Sequence, residues 1–195
     1  MHKRITSLLV AGMLASSLGG CVLSSQVIEL SPQSNITRTQ PQTQRAAMIR
    51  VEDQRKVKAT MVGTRGGTDP QSSPIVASEP LTSTLTTRLQ NTMALMGLGG
   101  TSAYEPIKVQ MDITAFNYSC NDGVLVNECS MEMGLRITVL DGGKSFYKPF
   151  LVKETRSVAT APAASYNEEW INTMLDDLWK RIFTDSAVRQ SLGVM

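Results

Sequence analysis

Cys129-Ser130-Met131-Glu132-Met133-Gly134-Leu135-Arg136-Ile137-Thr138-Val139 is the stretch on which the fold turns. Its odd-numbered residues are apolar or sulfur-bearing, and those between are polar or small. Successive side chains of a strand point to opposite faces, so this pattern predicts a half-buried β-strand. Upstream, Ile107, Val109, Met111 and Ile113 alternate with Lys108, Gln110, Asp112 and Thr114 in the same way. Downstream, Asp141-Gly142-Gly143-Lys144 is a hairpin turn leading into a strand over about Ser145 to Ala159. Pro149 cannot donate to a ladder, which places it at an edge or a bulge. The three strands predict an antiparallel meander.

Outward from the meander, Met48-Ile49-Arg50-Val51 predicts a first strand that ends in the charged turn Asp53-Gln54-Arg55. A glycine- and proline-punctuated loop over 56–77 follows, with room for short strands at Ala59–Val62 and Ile75–Ala77. Gly63-Thr64-Arg65-Gly66-Gly67 lacks the Gly-Lys-Ser/Thr ending and the immediate helix of a phosphate loop. Leu81, Leu85, Leu89 and Met93 repeat every four residues and predict a helix with one apolar stripe. Ser78 is its expected cap, Pro80 suits its first turn, and Gly97 is its stop. Ile171, Met174, Leu175, Leu178 and Ile182 predict a last helix, with Ser165-Tyr166-Asn167-Glu168 as a capping box. A short turn or helix over Asp185 to Leu192 closes the chain. The expected fold class is α+β: an antiparallel sheet made of the three-strand meander plus the first strand, with two helices packed on one face.

The N-terminus carries an address. Lys3 and Arg4 precede an apolar run from Ile5 to Leu18. That run is shorter than the ~20 apolar residues a spanning helix needs. Leu18-Gly19-Gly20-Cys21 resembles the lipobox of bacterial lipoproteins. The resemblance implies cleavage before Cys21, a diacylglyceryl thioether (with palmitate-type chains) on its sulfur, and acylation of the new amine. One acyl chain gives only marginal membrane binding, whereas several on one residue anchor it stably. Val22 rather than Asp follows the cysteine, which by the same resemblance points to the outer membrane. The chain thus divides into a signal peptide over 1–20, a flexible tether over 21–45 and a single α+β domain over 46–195. The tether is polar and turn-prone, though Val27-Ile28-Glu29-Leu30 could add a brief strand to the domain.

Composition narrows the chemistry. The chain has 19 Lys+Arg and 17 Asp+Glu, and losing Lys3 and Arg4 with the leader leaves 17 of each sign. No basic run or aromatic-studded strand suggests nucleic acid. His2 is the one histidine and leaves with the leader. Ser-His-Asp and Cys-His catalysis and the common zinc sites are thereby excluded. Adjacent carboxylates at Glu168-Glu169 and Asp176-Asp177 point in different directions on a helix and serve solvation. No catalytic residue, cofactor or metal is expected.

Cys120 and Cys129 flank a loop between two strands. In an oxidising compartment such a pair bonds. Its closure would contribute about 3 kcal/mol in the chain-entropy model. Two geometries compete. A tight turn at Asn121-Asp122-Gly123 would set the thiols apart, whereas a wider loop over 121–128 would place them opposite each other. The wider loop and the disulfide are the expectation.

The element order, Asp53-Gln54-Arg55 after the first strand, Leu85-x-x-x-Leu89-Gln90 in the first helix and the lipobox together resemble the YajG family of small outer-membrane lipoproteins of gammaproteobacteria. The resemblance covers most of residues 45–190. The Cys120–Cys129 loop and the Ser/Thr-rich first helix depart from it. It implies an envelope lipoprotein and carries no catalytic residues across, since the family has no established enzymatic activity. The expected function is a non-catalytic interaction or assembly domain, facing the periplasm and held to the outer membrane by its N-terminal lipid, with an envelope protein as partner. The alternative is an auxiliary lipid- or ligand-binding lipoprotein of a transport system, suggested by Met93, Met96, Met111, Met131, Met133 and Met174 on apolar faces. Asp53 and Arg55 are either a strand-end turn lock or part of a partner-contact rim.

Overall fold

The computed structural model describes residues 24–39, 45–66, 73–101, 104–121, 123 and 126–194. The expected signal peptide over 1–20 and Cys21 lie outside the described residues. The elements are β1 (Gln26–Ile28), β2 (Ala47–Asp53), β3 (Met61–Thr64), β4 (Pro74–Ala77), α1 (Leu81–Leu95), β5 (Ile107–Asn121), β6 (Asn127–Asp141), β7 (Lys144–Val158), α2 (Ala164–Thr184) and α3 (Ser186–Ser191). One sheet runs β1-β4-β3-β5-β6-β7, with β2 paired to β5 off that path. Inward side chains of β5 and β6 share one core with the apolar faces of α1 and α2.

This corrects the expected fold class. The sheet is not the antiparallel meander plus first strand but a mixed sheet of seven strands with three helices. The meander strands β5, β6 and β7 do pair antiparallel. The first strand β2, however, runs parallel to β5, as do β1 to β4 and β3 to β5. The physical reason is α1. Parallel neighbours need a long crossover, and α1 supplies one between the N-terminal strands and β5.

β5 is longer than its sequence alternation suggests. Its ladder to β6 shifts between Ile113 and Ala115. Before this bulge Ile107, Val109, Met111 and Ile113 face the core; after it Phe116, Tyr118 and Cys120 do. A bulge inserts one residue and so moves the inward set by one position. Gly134 sits opposite Ala115, where a Cβ would come within 2.6 Å of Thr114 Oγ1. Gly63 is required by another close approach, since a Cβ there would lie 1.9 Å from the Tyr118 carbonyl oxygen of β5.

Two expected caps do not form. The residue preceding α1 is Pro80, without a side-chain cap, and Glu79 instead accepts from Thr84 Oγ1 at 2.7 Å. α2 begins at Ala164 after Ala163, so Ser165 lies inside its first turn rather than at the boundary. Asp185 does cap α3, accepting from Val188 N at 3.1 Å.

The tether drawn over 21–45 is corrected over residues 26–39. Ile28, Leu30 and Ile36 belong to the core. After β1 the chain runs as a strap across α1 and α2. Ser31 N donates to Asn172 Oδ1 at 2.8 Å, Asn91 Nδ2 donates to the Pro32 carbonyl at 3.1 Å, and Thr39 N donates to the Leu95 carbonyl at 3.0 Å. Apolar side chains at 28, 30 and 36 gain more by burial than a polar tether gains by staying free.

Beneath the strap lies Arg88, with no exposed side-chain surface. It pairs with Asp176 of α2, donates to the Ser31 carbonyl at 3.2 Å and lies 5.1 Å above the Trp179 ring. Burial lowers its pKa, and Asp176 opposes that shift. Trp179 Nε1 donates to Thr92 Oγ1 at 2.8 Å in the same layer. Thr84, Arg88 and Thr92 thus form a second buried stripe of α1, where the four-residue repeat predicts only one. Asp176→Ala is expected to destabilise the domain by about 1–3 kcal/mol in urea denaturation. That is less than a fully buried pair would lose, because Asp176 is 45% exposed. Adding Arg88→Met is expected to restore part of the loss by removing the stranded cation.

Candidate functional site

The helices leave the opposite sheet face uncovered by either of them. Along β7 half-buried core-side residues alternate with exposed ones. Tyr147 (71%) and Leu151 (63%) stand out on the exposed face, with Met48 and Leu140 also exposed on the same sheet. Between them lies a hydrogen-bonded polar row. Arg136 donates to Asp112 Oδ2 through Nε (2.9 Å) and Nη2 (2.6 Å), and Gln110 Nε2 donates to Asp112 Oδ1 at 2.8 Å. Gln110 also reaches Glu52, which pairs with Arg50. β7 pairs with β6 on one side and ends the strand order, so its other edge offers backbone donors and acceptors. Pro149 and lysines 144, 148 and 153 along it are the residues proteins use to keep an edge from pairing indiscriminately.

Asp53 and Arg55 sit where β2 leaves β5 and before β3 joins it. β2 pairs with Ile107–Ile113 and β3 with Tyr118–Ser119, leaving a gap beside the bulge. Arg55 closes this seam. Its Nη1 donates to the carbonyls of Met61 (2.7 Å) and Phe116 (3.0 Å), and Nε and Nη2 grip Asp53 at 2.9 and 2.7 Å. Both side chains are largely covered, at 13% and 7% exposure for Asp53 and Arg55. The geometry is that of a turn lock: Arg55 supplies the ladder partners that the missing strand residues do not.

At the end of the sheet where β1 begins, a buried polar cluster joins distant parts of the chain. Tyr118 Oη donates to Asn167 Oδ1 at 2.9 Å, and Asn167 Nδ2 donates to Gln26 Oε1 at 2.8 Å. Gln26 Nε2 and Arg65 Nη2 both donate to the Pro162 carbonyl, at 3.0 and 3.2 Å, and Arg65 Nη1 donates to the Ser24 carbonyl at 2.9 Å. Burial is the largest influence raising the Tyr118 pKa, so its hydroxyl stays a donor. Cys120 and Cys129 lie directly opposite in the β5–β6 ladder and are joined by a disulfide, with Cα atoms 4.0 Å apart. The Cys120 sulfur touches Tyr118 Oη at 3.0 Å. Sequence reasoning missed Gln26, Arg65 and Asn167. Asn167 stands three and four residues before Trp170 and Ile171, on the apolar face of the helix, and that was the available signal.

The six methionines that suggested a ligand surface are all members of the packed core. Among the described residues, no three His, Cys, Asp or Glu side chains converge as metal ligands. No helix there is long and apolar enough to cross a membrane.

A family model described as "Uncharacterized lipoprotein" matches residues 32–193. The chain belongs to this lipoprotein family. No curated protein matches it. Among solved structures, an uncharacterized protein is similar over 80% of this chain and 99% of its own, at 14% identity and a TM-score of 0.47. Protein XCC0632 from Xanthomonas campestris, of the DUF330 family, is similar over 81% and 94%, at 12% identity and a TM-score of 0.44. The lipoprotein family's match starts within the strap and ends after α3, and so includes the Asp53–Arg55 seam, the disulfide and Asn167.

The seam makes a pH prediction. Burial acts to raise the Asp53 pKa, but the hydrogen bonds and charge of Arg55 outweigh it and hold the carboxyl below the usual range. A carboxylate depressed on folding stabilises the native state above its unfolded pKa, about 4, and that contribution fades as pH falls through the folded value. Asp53→Asn is expected to be less stable than the parent at pH 7. The gap in urea midpoint should narrow steadily below about pH 4. A gap unchanged across that range would contradict the ion-pair lock.

Proposed function

We propose that this lipoprotein is a non-catalytic interaction or assembly domain, anchored to the outer membrane through acylated Cys21 and facing the periplasm. The carrying observation is the uncovered sheet face with its free β7 edge, bearing Tyr147 and Leu151 outward. Exposed aromatic and aliphatic residues set among polar ones on an uncovered sheet face suit a contact surface, and a free strand can accept a partner strand. The partner is an envelope protein that contributes an extended segment. The absence of histidine beyond His2 supports a binding rather than a catalytic role. The lipobox and the YajG-like pattern support the outer membrane as its site.

Photocrosslinking in intact cells tests the surface. A photoreactive residue at Tyr147 or Leu151 is expected to give discrete protein adducts, and one at Lys180, on the helix side, to give none. Absence of adducts from both sheet positions would remove the basis of the proposal, as would turnover of an envelope substrate by the purified protein. Cys21→Ser is expected to lose membrane retention and leader cleavage while the domain keeps its thermal transition. Retention of that variant in the outer-membrane fraction would refute the anchor.

A further inference from the structure

We infer that the bilayer lies directly against the end of the sheet where β1 begins, so that the domain stands on the membrane with its strands pointing away from the surface. The inference rests on Cys21 being the lipid attachment site. It follows from chain length. The Ser24 carbonyl is held by Arg65, and the Gln26 side chain is buried and held by Pro162 and Asn167. Only Val22 and Leu23 separate Cys21 from Ser24. A fully extended chain covers at most ~3.3–3.6 Å per residue, so Cys21 Cα lies within about 11 Å of Ser24. No hanging tether fits in that reach.

Register says which residues share this end. Gln26 is beside Ile75, Thr64 is beside both Pro74 and Ser119, Asn121 is opposite Glu128, and Asn127 is opposite Val158. The end therefore gathers Ser24, Arg65, Val126, Val158 and Pro162, with the first turn of α2 and its Tyr166 beside them. Val126 and Tyr166 are exposed there. The occupant is the phospholipid surface rather than a protein, because the lipid chains would be covalently attached three residues from the fixed backbone. The β6–β7 turn at Asp141–Lys144 is the opposite end. With 15 residues in β6 and ~3.3 Å per residue, it lies roughly 45–50 Å away.

The test uses full-length lipoprotein purified from membranes and reconstituted into phosphatidylethanolamine–phosphatidylglycerol vesicles doped with a nitroxide-headgroup lipid. A genetically encoded fluorescent residue replaces Val126 in one sample and Lys144 in another. The probe at 126 is expected to be quenched severalfold more than the probe at 144. An insertion of about twelve Gly/Ser residues between Leu23 and Ser24, reaching roughly 20 Å on average, is expected to abolish the difference. Mass spectrometry of the N-terminal peptide from the same samples separates the two readings. Acylated Cys21 with equal quenching at 126 and 144 overturns this inference alone. A difference that survives the insertion overturns the claim that short reach sets the orientation. An unacylated Cys21 overturns both the anchor and the orientation.

Discussion

A guanidinium with no route to water constrains the whole helical layer. Arg88 is charged, and an unpaired buried charge is expensive. Its partners assemble only where three pieces of chain meet: α1, which carries it; α2, which supplies Asp176 and the Trp179 ring; and the strap, which supplies the Ser31 carbonyl. Apolar packing is non-directional and would tolerate α1 and α2 at several offsets. The Arg88 contacts select one. They also explain why a segment as polar as residues 31–39 is laid over the helices: its carbonyls, amides and hydroxyls are what the polar stripe of α1 binds.

The same logic operates in the sheet. β5 serves three neighbours, and on one edge two of them share its length. Wherever β2 gives way to β3, backbone groups of β5 lose their ladder. Arg55 restores partners for Phe116 and Met61. The short motif Asp53-Gln54-Arg55 is thereby a structural patch: the arginine reaches the carbonyls, the aspartate keeps it there, and Gln54 N adds a bond to the Ile113 carbonyl at 3.0 Å.

What could be read from the sequence was what depends on local repetition. Alternation marked the first half of β5 and Cys129–Val139 of β6, and the turn at Asp141–Lys144 marked the start of β7. Fourfold spacing marked α1, and the i, i+3, i+4 face marked α2. What escaped depends on distant partners. The bulge after Ile113 broke the alternation, so Phe116, Tyr118 and Cys120 were not read as one inward row. Strand direction escaped because the helix between the first strand and the meander was not taken as a crossover. The buried stripe Thr84-Arg88-Thr92 escaped because polar side chains at helical spacing do not stand out as a core face. Val27–Leu30 was legible as a brief strand, whereas residues 31–39 looked like tether because Ile36 alone carries no period. The disulfide was legible from its compartment and spacing, and the ladder places the two cysteines opposite one another.

The β1 strand and strap also govern the order in which the molecule can be completed. Gln26 and Asn167 are 141 residues apart, and Asn172 reaches back 143 residues to the Glu29 carbonyl. Chains fold as they emerge, and contacts of high sequence separation form last because their loops must close first. The segment from Gln26 to Thr39 can therefore take its place only once α2 is present. Until then it is an undocked leash, and α1 and α2 lack the cover that the strap gives their shared polar layer.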